Sequence, residues 1–226
     1  MSDHQKLDYC ITVLLDYMYG DKCLSSLHDA LHILAAIIPT WDPPLKTHQQ
    51  QILCNVVLPL YKRHIPSETQ PILLHCVINF LKKEKYLASV AVKELIRIWP
   101  KASVKQEIMF LHAMKEIFIL SKVSEDEQVL KLFLNKIGMC ISSPASVVSK
   151  RAIKLLSNIC NMMNSRSTII ISSTFSILYR TSTVHWNQDV VDGVCDLLDN
   201  FLKHSPVLFD QLFEVYKSEN VSDLAK

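Results

Sequence analysis

Apolar residues recur at spacings of three and four along nearly the whole chain, and the breaks in that rhythm are supplied by proline, serine and asparagine. A period near 3.6 places those residues on one face of a helix, so the pattern predicts an all-α fold. Ten or eleven helices fit the 226 residues, running roughly 5–19, 24–38, 46–63, 68–82, 86–98, 104–120, 125–141, 146–163, 169–180, 187–203 and 206–217. Start signals accompany several of them. Ser67 and Glu68 ahead of Pro71, Ser103 three residues before Gln106, and the run Ser124, Glu125, Asp126, Glu127 each bring an acceptor or a negative charge to backbone N–H groups without partners. Pro44, Pro100 and Pro144 end or precede helices because proline lacks the donor that an interior turn needs. One segment opposes the pattern: Thr168 to Ile171 is a β-branched run of low helix propensity. It is read as helix, since a single strand among helices has no partner for its backbone.

Pairing consecutive helices puts the longer breaks near residues 42, 84, 122, 165 and 204, a period of about 40 residues that matches HEAT and armadillo repeats. The expectation is one HEAT-like helical-repeat domain over 1–226, a solenoid of about five helix pairs, with flexible ends at 1–4 and 218–226. Composition narrows the function. Only three glycines occur, Gly20, Gly138 and Gly193, whereas an average chain of this length has about sixteen. Glycine-rich phosphate loops and dinucleotide fingerprints therefore lack their raw material.

The balance of 24 basic and 22 acidic residues gives a net charge of +2, too small a field to drive binding to nucleic acid or to an acidic membrane. Seven cysteines, Cys10, Cys23, Cys54, Cys76, Cys140, Cys160 and Cys195, lie singly in apolar runs with no C-x-x-C pair, which reads as reduced thiols in the cytoplasm or nucleus. Met1 to His4 carry no apolar signal core, and the longest apolar run, Leu27 to Pro39, is short and interrupted by His28, Asp29 and His32. No signal peptide and no membrane span is expected.

Candidate chemistry is sparse. His28 and His32 stand four apart on a predicted helix, the spacing of a two-histidine zinc site. Asp29, however, occupies the place of the catalytic glutamate, and no third ligand is evident, so they read as polar-face histidines. His75 and Cys76 are adjacent and point about 100° apart on a helix, which forbids a thiolate–imidazolium pair between them. Lys82, Lys83 and Lys85 around Glu84 read as a solvated inter-repeat loop. The sequon at Asn220, Val221 and Ser222 carries no weight without a secretory signal. Trp99 before Pro100, and Trp186 between His185 and Asn187, each read as an indole locking a loop between repeats. No cofactor, metal or catalytic residue is expected.

The same tryptophans carry a resemblance. Ile98-Trp99-Pro100-Lys101 followed by Lys105 to Leu111 resembles the YWPK…KEVMFL stretch of the B-prime (56-kilodalton) regulatory subunits of protein phosphatase 2A. Leu58-Pro59-Leu60-Tyr61-Lys62 is similar to that family's LLPLHK, Cys140 to Pro144 to its CVSSP, and Leu178-Tyr179-Arg180 with His185-Trp186-Asn187 to its LYRNSKTHWN. Leu208-Phe209-Asp210 fits its LFDD. These anchors follow in family order across residues 10 to 217 and resemble the C-terminal half to two thirds of the family. The resemblance implies a non-catalytic regulatory subunit that docks on the phosphatase scaffold and catalytic subunits and tunes substrate selection. The alternative is a generic HEAT-repeat adaptor that no longer assembles the holoenzyme.

The resemblance also implies remnants of the family's groove for Leu-x-x-Ile-x-Glu peptides: apolar positions at Leu31, Ile33 and Ile37, and a flanking lysine at Lys46. A groove histidine falls on Gln49 and an arginine on Asp3, which replaces attraction for an acidic motif by repulsion, so short linear motif peptides are expected to bind with weakened affinity. Cys10, Val13, Leu14 and Tyr17 are expected on the flank that the family's preceding repeat covers.

Overall fold

The computed structural model describes residues 3–19, 24–100, 103–120 and 126–224. Eleven α-helices and no strand occur among the described residues, so the chain has the all-α helical-repeat class its periodicity predicts. Its contacts divide it into two compact units, residues 1–129 and 130–226.

The first unit holds α1 (Asp3–Tyr19), α2 (Leu24–Ile37), α3 (Thr47–Ile52), α4 (Gln70–Lys83), α5 (Leu87–Arg97) and α6 (Val104–Leu120). Two layers form. α2, α4 and α6 lie side by side, while α1, the α3 region and α5 cover them from one side. α5 shows why: Leu87, Ala88, Ala91, Val92 and Leu95 repeat at helical spacing, and all five are buried. α6 begins where Ser103 predicts, with the Gln106 N–H donating to the Ser103 hydroxyl at 3.3 Å. Its core residue Phe110 meets Tyr61 and Trp99 edge to face, at centroid distances of 5.4 and 5.2 Å. Such pairs contribute about 0.5–1.5 kcal/mol each beyond their buried area.

Three expectations need correction here. The single helix expected over 46–63 is broken: α3 ends at Ile52, a π turn covers Leu53–Val57 and a 3-10 segment covers Leu58–Lys62. Pro59 is the cause. It has no N–H for the Asn55 carbonyl, and the chain widens so that the Leu58 N–H reaches back five residues to Leu53. α4 starts at Gln70, two residues late, because residues 66–69 form a turn in which the Thr69 and Gln70 N–H groups donate to the Pro66 carbonyl at 3.0 and 3.1 Å. On α1, Cys10, Leu14 and Tyr17 are buried against their own unit and not presented on an open flank, and Val13 is half-buried. The Tyr17 hydroxyl donates to the His64 carbonyl at 2.9 Å, which turns that apolar stripe inward.

The loop between α2 and α3 is strapped from below. The Lys83 ammonium donates to the Pro39 and Trp41 carbonyls, both at 2.7 Å, and Glu84 accepts the Leu45 N–H at 2.7 Å. Half of the lysine-rich cluster thus serves the fold, while Lys82 and Lys85 are exposed.

The second unit contains α7 (Glu127–Ile141, from Leu130 onward), α8 (Ser146–Met162), α9 (Ser167–Val184), α10 (Gln188–His204) and α11 (Pro206–Leu224). Asp126 caps α7, accepting the Gln128 and Val129 N–H groups at 3.1 and 3.2 Å; Ser124 and Glu125 lie outside the described residues. α10 packs on both α8 and α9, and α11 packs on α9 and α10. The β-branched run from Thr168 is helical, within α9. Ile170 and Ile171 bury in the core, and the hydroxyls of Ser172, Thr174 and Thr181 return to backbone carbonyls four residues back at 2.7 Å. Burial there outweighs the weak intrinsic propensity. α9 and α11 both extend beyond their expected ends at 180 and 217. At Gly138 of α7 a side chain would put its Cβ 2.9 Å from Cδ1 of Ile177, so this glycine allows α7 and α9 to approach closely. Every buried side-chain nitrogen or oxygen among the described residues has a hydrogen-bond partner.

Candidate functional site

The four groove positions implied by the resemblance lie on α2 and at the start of α3, and they differ in accessibility. Leu31 is fully buried and Ile37 is 8% exposed; Ile33 is half-buried, and Lys46 is exposed. α2 is apolar on more than one face, because it packs against both α1 and α4. Leu31 faces that core, and its carbonyl accepts the Cys76 thiol at 3.4 Å. Gln49, standing at the position of the family's groove histidine, accepts the Lys46 N–H at 2.9 Å and so helps start α3. The Asp3 side chain lies outside the described residues.

A second feature is the corner that joins α9 to α10. Asn187 caps α10 by accepting the Val190 N–H at 3.3 Å. His185 accepts the Asn187 N–H through Nδ1 at 3.1 Å, which leaves Nε2 to donate to the Ser143 carbonyl at 3.1 Å. The Trp186 indole N–H donates to the Pro144 carbonyl at 3.0 Å. His185 and Trp186 therefore tie the α9–α10 corner to the α7–α8 corner, as a loop lock should, while Asn187 orders the corner itself. The indole itself is not enclosed. It is 69% exposed and stacks on His185 at 5.9 Å, so its body is available for contact. Trp186→Ala is expected to cost no more than about 1.5 kcal/mol, the range of one net hydrogen bond. A chemical denaturation curve checks this, and a loss above about 3 kcal/mol would mean the indole is buried. Trp99 is the opposite case: half-buried, packed on Phe110, with its N–H donating to Glu107 at 3.3 Å.

The histidine and cysteine candidates form no catalytic or metal-binding group among the described residues. His28 and His32 meet edge to face at 4.7 Å, and His28 Nδ1 lies 3.2 Å from the Thr69 hydroxyl. Among the described residues no group of three or more His, Cys, Asp or Glu side chains is placed to hold a metal ion. His75 is exposed while Cys76 is buried, as the angle between adjacent helical positions requires. Burial pushes the Cys76 thiol up to about 12, with the Cys10 charge adding to the effect, and pushes Cys160 to about 11. Both are protonated at neutral pH, hence poor nucleophiles. Cys23 lies outside the described residues. No helix among the described residues is long and apolar enough to cross a membrane.

The fold is that of a helical-repeat protein, whose accessible features among the described residues include loop corners and inter-helix clefts. The comparisons with known proteins define it further. The family described as protein phosphatase 2A regulatory B subunit (B56 family) matches residues 7–225, and the chain belongs to that family. It is 30% identical over 212 residues to the human serine/threonine-protein phosphatase 2A 56 kDa regulatory subunit beta isoform, covering 93% of this chain and 43% of that protein. To the human delta isoform it is 31% identical over 205 residues, covering 90% and 34% respectively. To the Caenorhabditis elegans regulatory subunit pptr-1 it is 29% identical over 213 residues, covering 93% and 39%. The chain thus spans between 34% and 43% of the length of these curated relatives.

Proposed function

We propose that this chain is a non-catalytic regulatory subunit of a protein phosphatase 2A type serine/threonine phosphatase. It docks on the scaffold and catalytic subunits and modulates which substrates are selected, in the cytoplasm or nucleus. The observation that carries this reading is the family match over residues 7–225, nearly the whole chain. The exposed Trp186 corner supports it, because a large aromatic held rigidly by a backbone hydrogen bond is the kind of residue that anchors interfaces. Immobilised scaffold–catalytic dimer is expected to capture the chain, and full-length human beta isoform is expected to displace it. Failure of capture favours an adaptor that has lost holoenzyme assembly. Capture without displacement points to a different docking surface.

Short linear motif peptides of the Leu-x-x-Ile-x-Glu type are proposed as weak ligands near Ile33 and Lys46. Leu31 and Ile37 face the core, and Gln49 is engaged in starting α3, so little of that surface is free to grip an acidic residue. Fluorescence anisotropy should show binding at least tenfold weaker than for the human beta isoform, a difference of about 1.4 kcal/mol. Equal affinity would contradict the weakening.

A further inference from the structure

An apolar cleft in the first unit lies between α4 and α6, and none of the groove positions on α2 lines it. A cleft of about 400 Å³ runs there, with Leu74 and Ile78 of α4 on one wall, Ile108 and Met109 of α6 on the other, and the buried Tyr61 among the residues that line it. Gln106 of α6 donates to the Arg63 carbonyl just ahead of α4, which sets the beginnings of the two helices side by side. Lys105 and Glu116 both line the cleft on α6. Eleven residues at a helical rise of 1.5 Å separate them by about 16 Å, the length of about five residues of extended peptide.

The edge of this cleft carries one ammonium and two imidazoles. Lys105, His75 and His112 line it, all three are exposed, and none makes a hydrogen bond or ion pair within the described structure. The cleft's one carboxylate, Glu116, is paired with Lys115 at 3.1 Å. Nitrogen groups are therefore left over on the rim while the one carboxylate is already engaged. An apolar slot edged by a fixed ammonium and two imidazoles complements aliphatic side chains alternating with carboxylates. A basic segment would meet Lys105 at close range, and the one carboxylate available to it is already paired with Lys115.

We infer that the α4–α6 cleft is a docking site for a short acidic protein segment bound in extended form, with its aliphatic side chains in the slot and its carboxylates against Lys105, His75 and His112. The inference does not depend on phosphatase assembly, and the two are tested separately.

The test uses the full 226-residue chain and a fluorescein-labelled peptide, Glu-Ile-Glu-Leu-Asp-Val-Glu, which lacks the Leu-x-x-Ile-x-Glu spacing. Its counterpart with lysine at every acidic position is the control. The acidic probe is expected to saturate the chain and the basic control not to bind. Lys105→Glu should weaken the probe at least tenfold, and Ile108→Ser should weaken it comparably. Lys203→Glu, an exposed change at the end of α10 in the second unit, should leave it unchanged. Lys105 is exposed, so Lys105→Glu should keep the wild-type circular dichroism spectrum, which separates lost binding from lost fold. Absence of probe binding, equal binding of the basic control, indifference to Lys105→Glu, or equal loss on Lys203→Glu would each overturn the proposal.

Discussion

Phe110→Ala is expected to destabilise the first unit by about 3–5 kcal/mol, the cost of emptying a buried aromatic site. Phe110 is fully buried and is the ring shared by two edge-to-face contacts, to Tyr61 at 5.4 Å and to Trp99 at 5.2 Å. Its loss removes both contacts and leaves Tyr61, itself buried, next to a void. In a chain of this size each kcal/mol corresponds to about 2–4 °C, so the melting temperature should fall by about 6–20 °C. Phe110→Leu, which refills most of the volume, should lose much less. An unchanged denaturation midpoint for Phe110→Ala would show that the aromatic group is dispensable.

The second large effect belongs to α11. Phe175 is fully buried in α9, stacks on Tyr179 at 6.0 Å and meets Phe209 of α11 at 5.1 Å and 89°. Tyr179 in turn touches Phe213 and Tyr216 of α11 at 5.2 and 5.0 Å. α11 itself carries many half-exposed side chains, so these ring contacts hold it in place. Phe175→Ala should cost about 3–5 kcal/mol and should release α11 first, because its attachment is concentrated at that cluster. Hydrogen exchange reads this directly: amides over 206–218 should lose protection ahead of those in α10. Uniform loss across both helices, or none in α11, would contradict the arrangement.

How far the sequence could be read depended on how many faces each helix buries. α10 has a single apolar stripe, Val190, Val194, Leu197, Leu198 and Phe201, with an Asn187 cap, and its observed bounds lie within one residue of those expected. The helix expected over 46–63 runs through Pro59, whose missing donor instead turns Leu53–Val57 into a π turn. The groove positions show a different limit. Leu31, Ile33 and Ile37 are all aliphatic on α2, and nothing in residue type separates the two that enter the core from the one left half-open. Trp186 shows it again, since a tryptophan at a helix boundary reads the same whether its ring is enclosed or only its N–H is engaged. The α4–α6 cleft was missed for the complementary reason. Leu74, Ile78, Ile108 and Met109 look like ordinary core stripes, and only the packing shows that the two helices leave space between them.

The most direct measurement is the mass of the complex. When the chain is mixed with purified scaffold–catalytic dimer and passed over a sizing column with light scattering, a regulatory subunit of this family should raise the dimer's mass by one chain of 25.9 kDa. Elution of the chain as a separate peak, with the dimer's mass unchanged, would contradict its assignment as a phosphatase subunit.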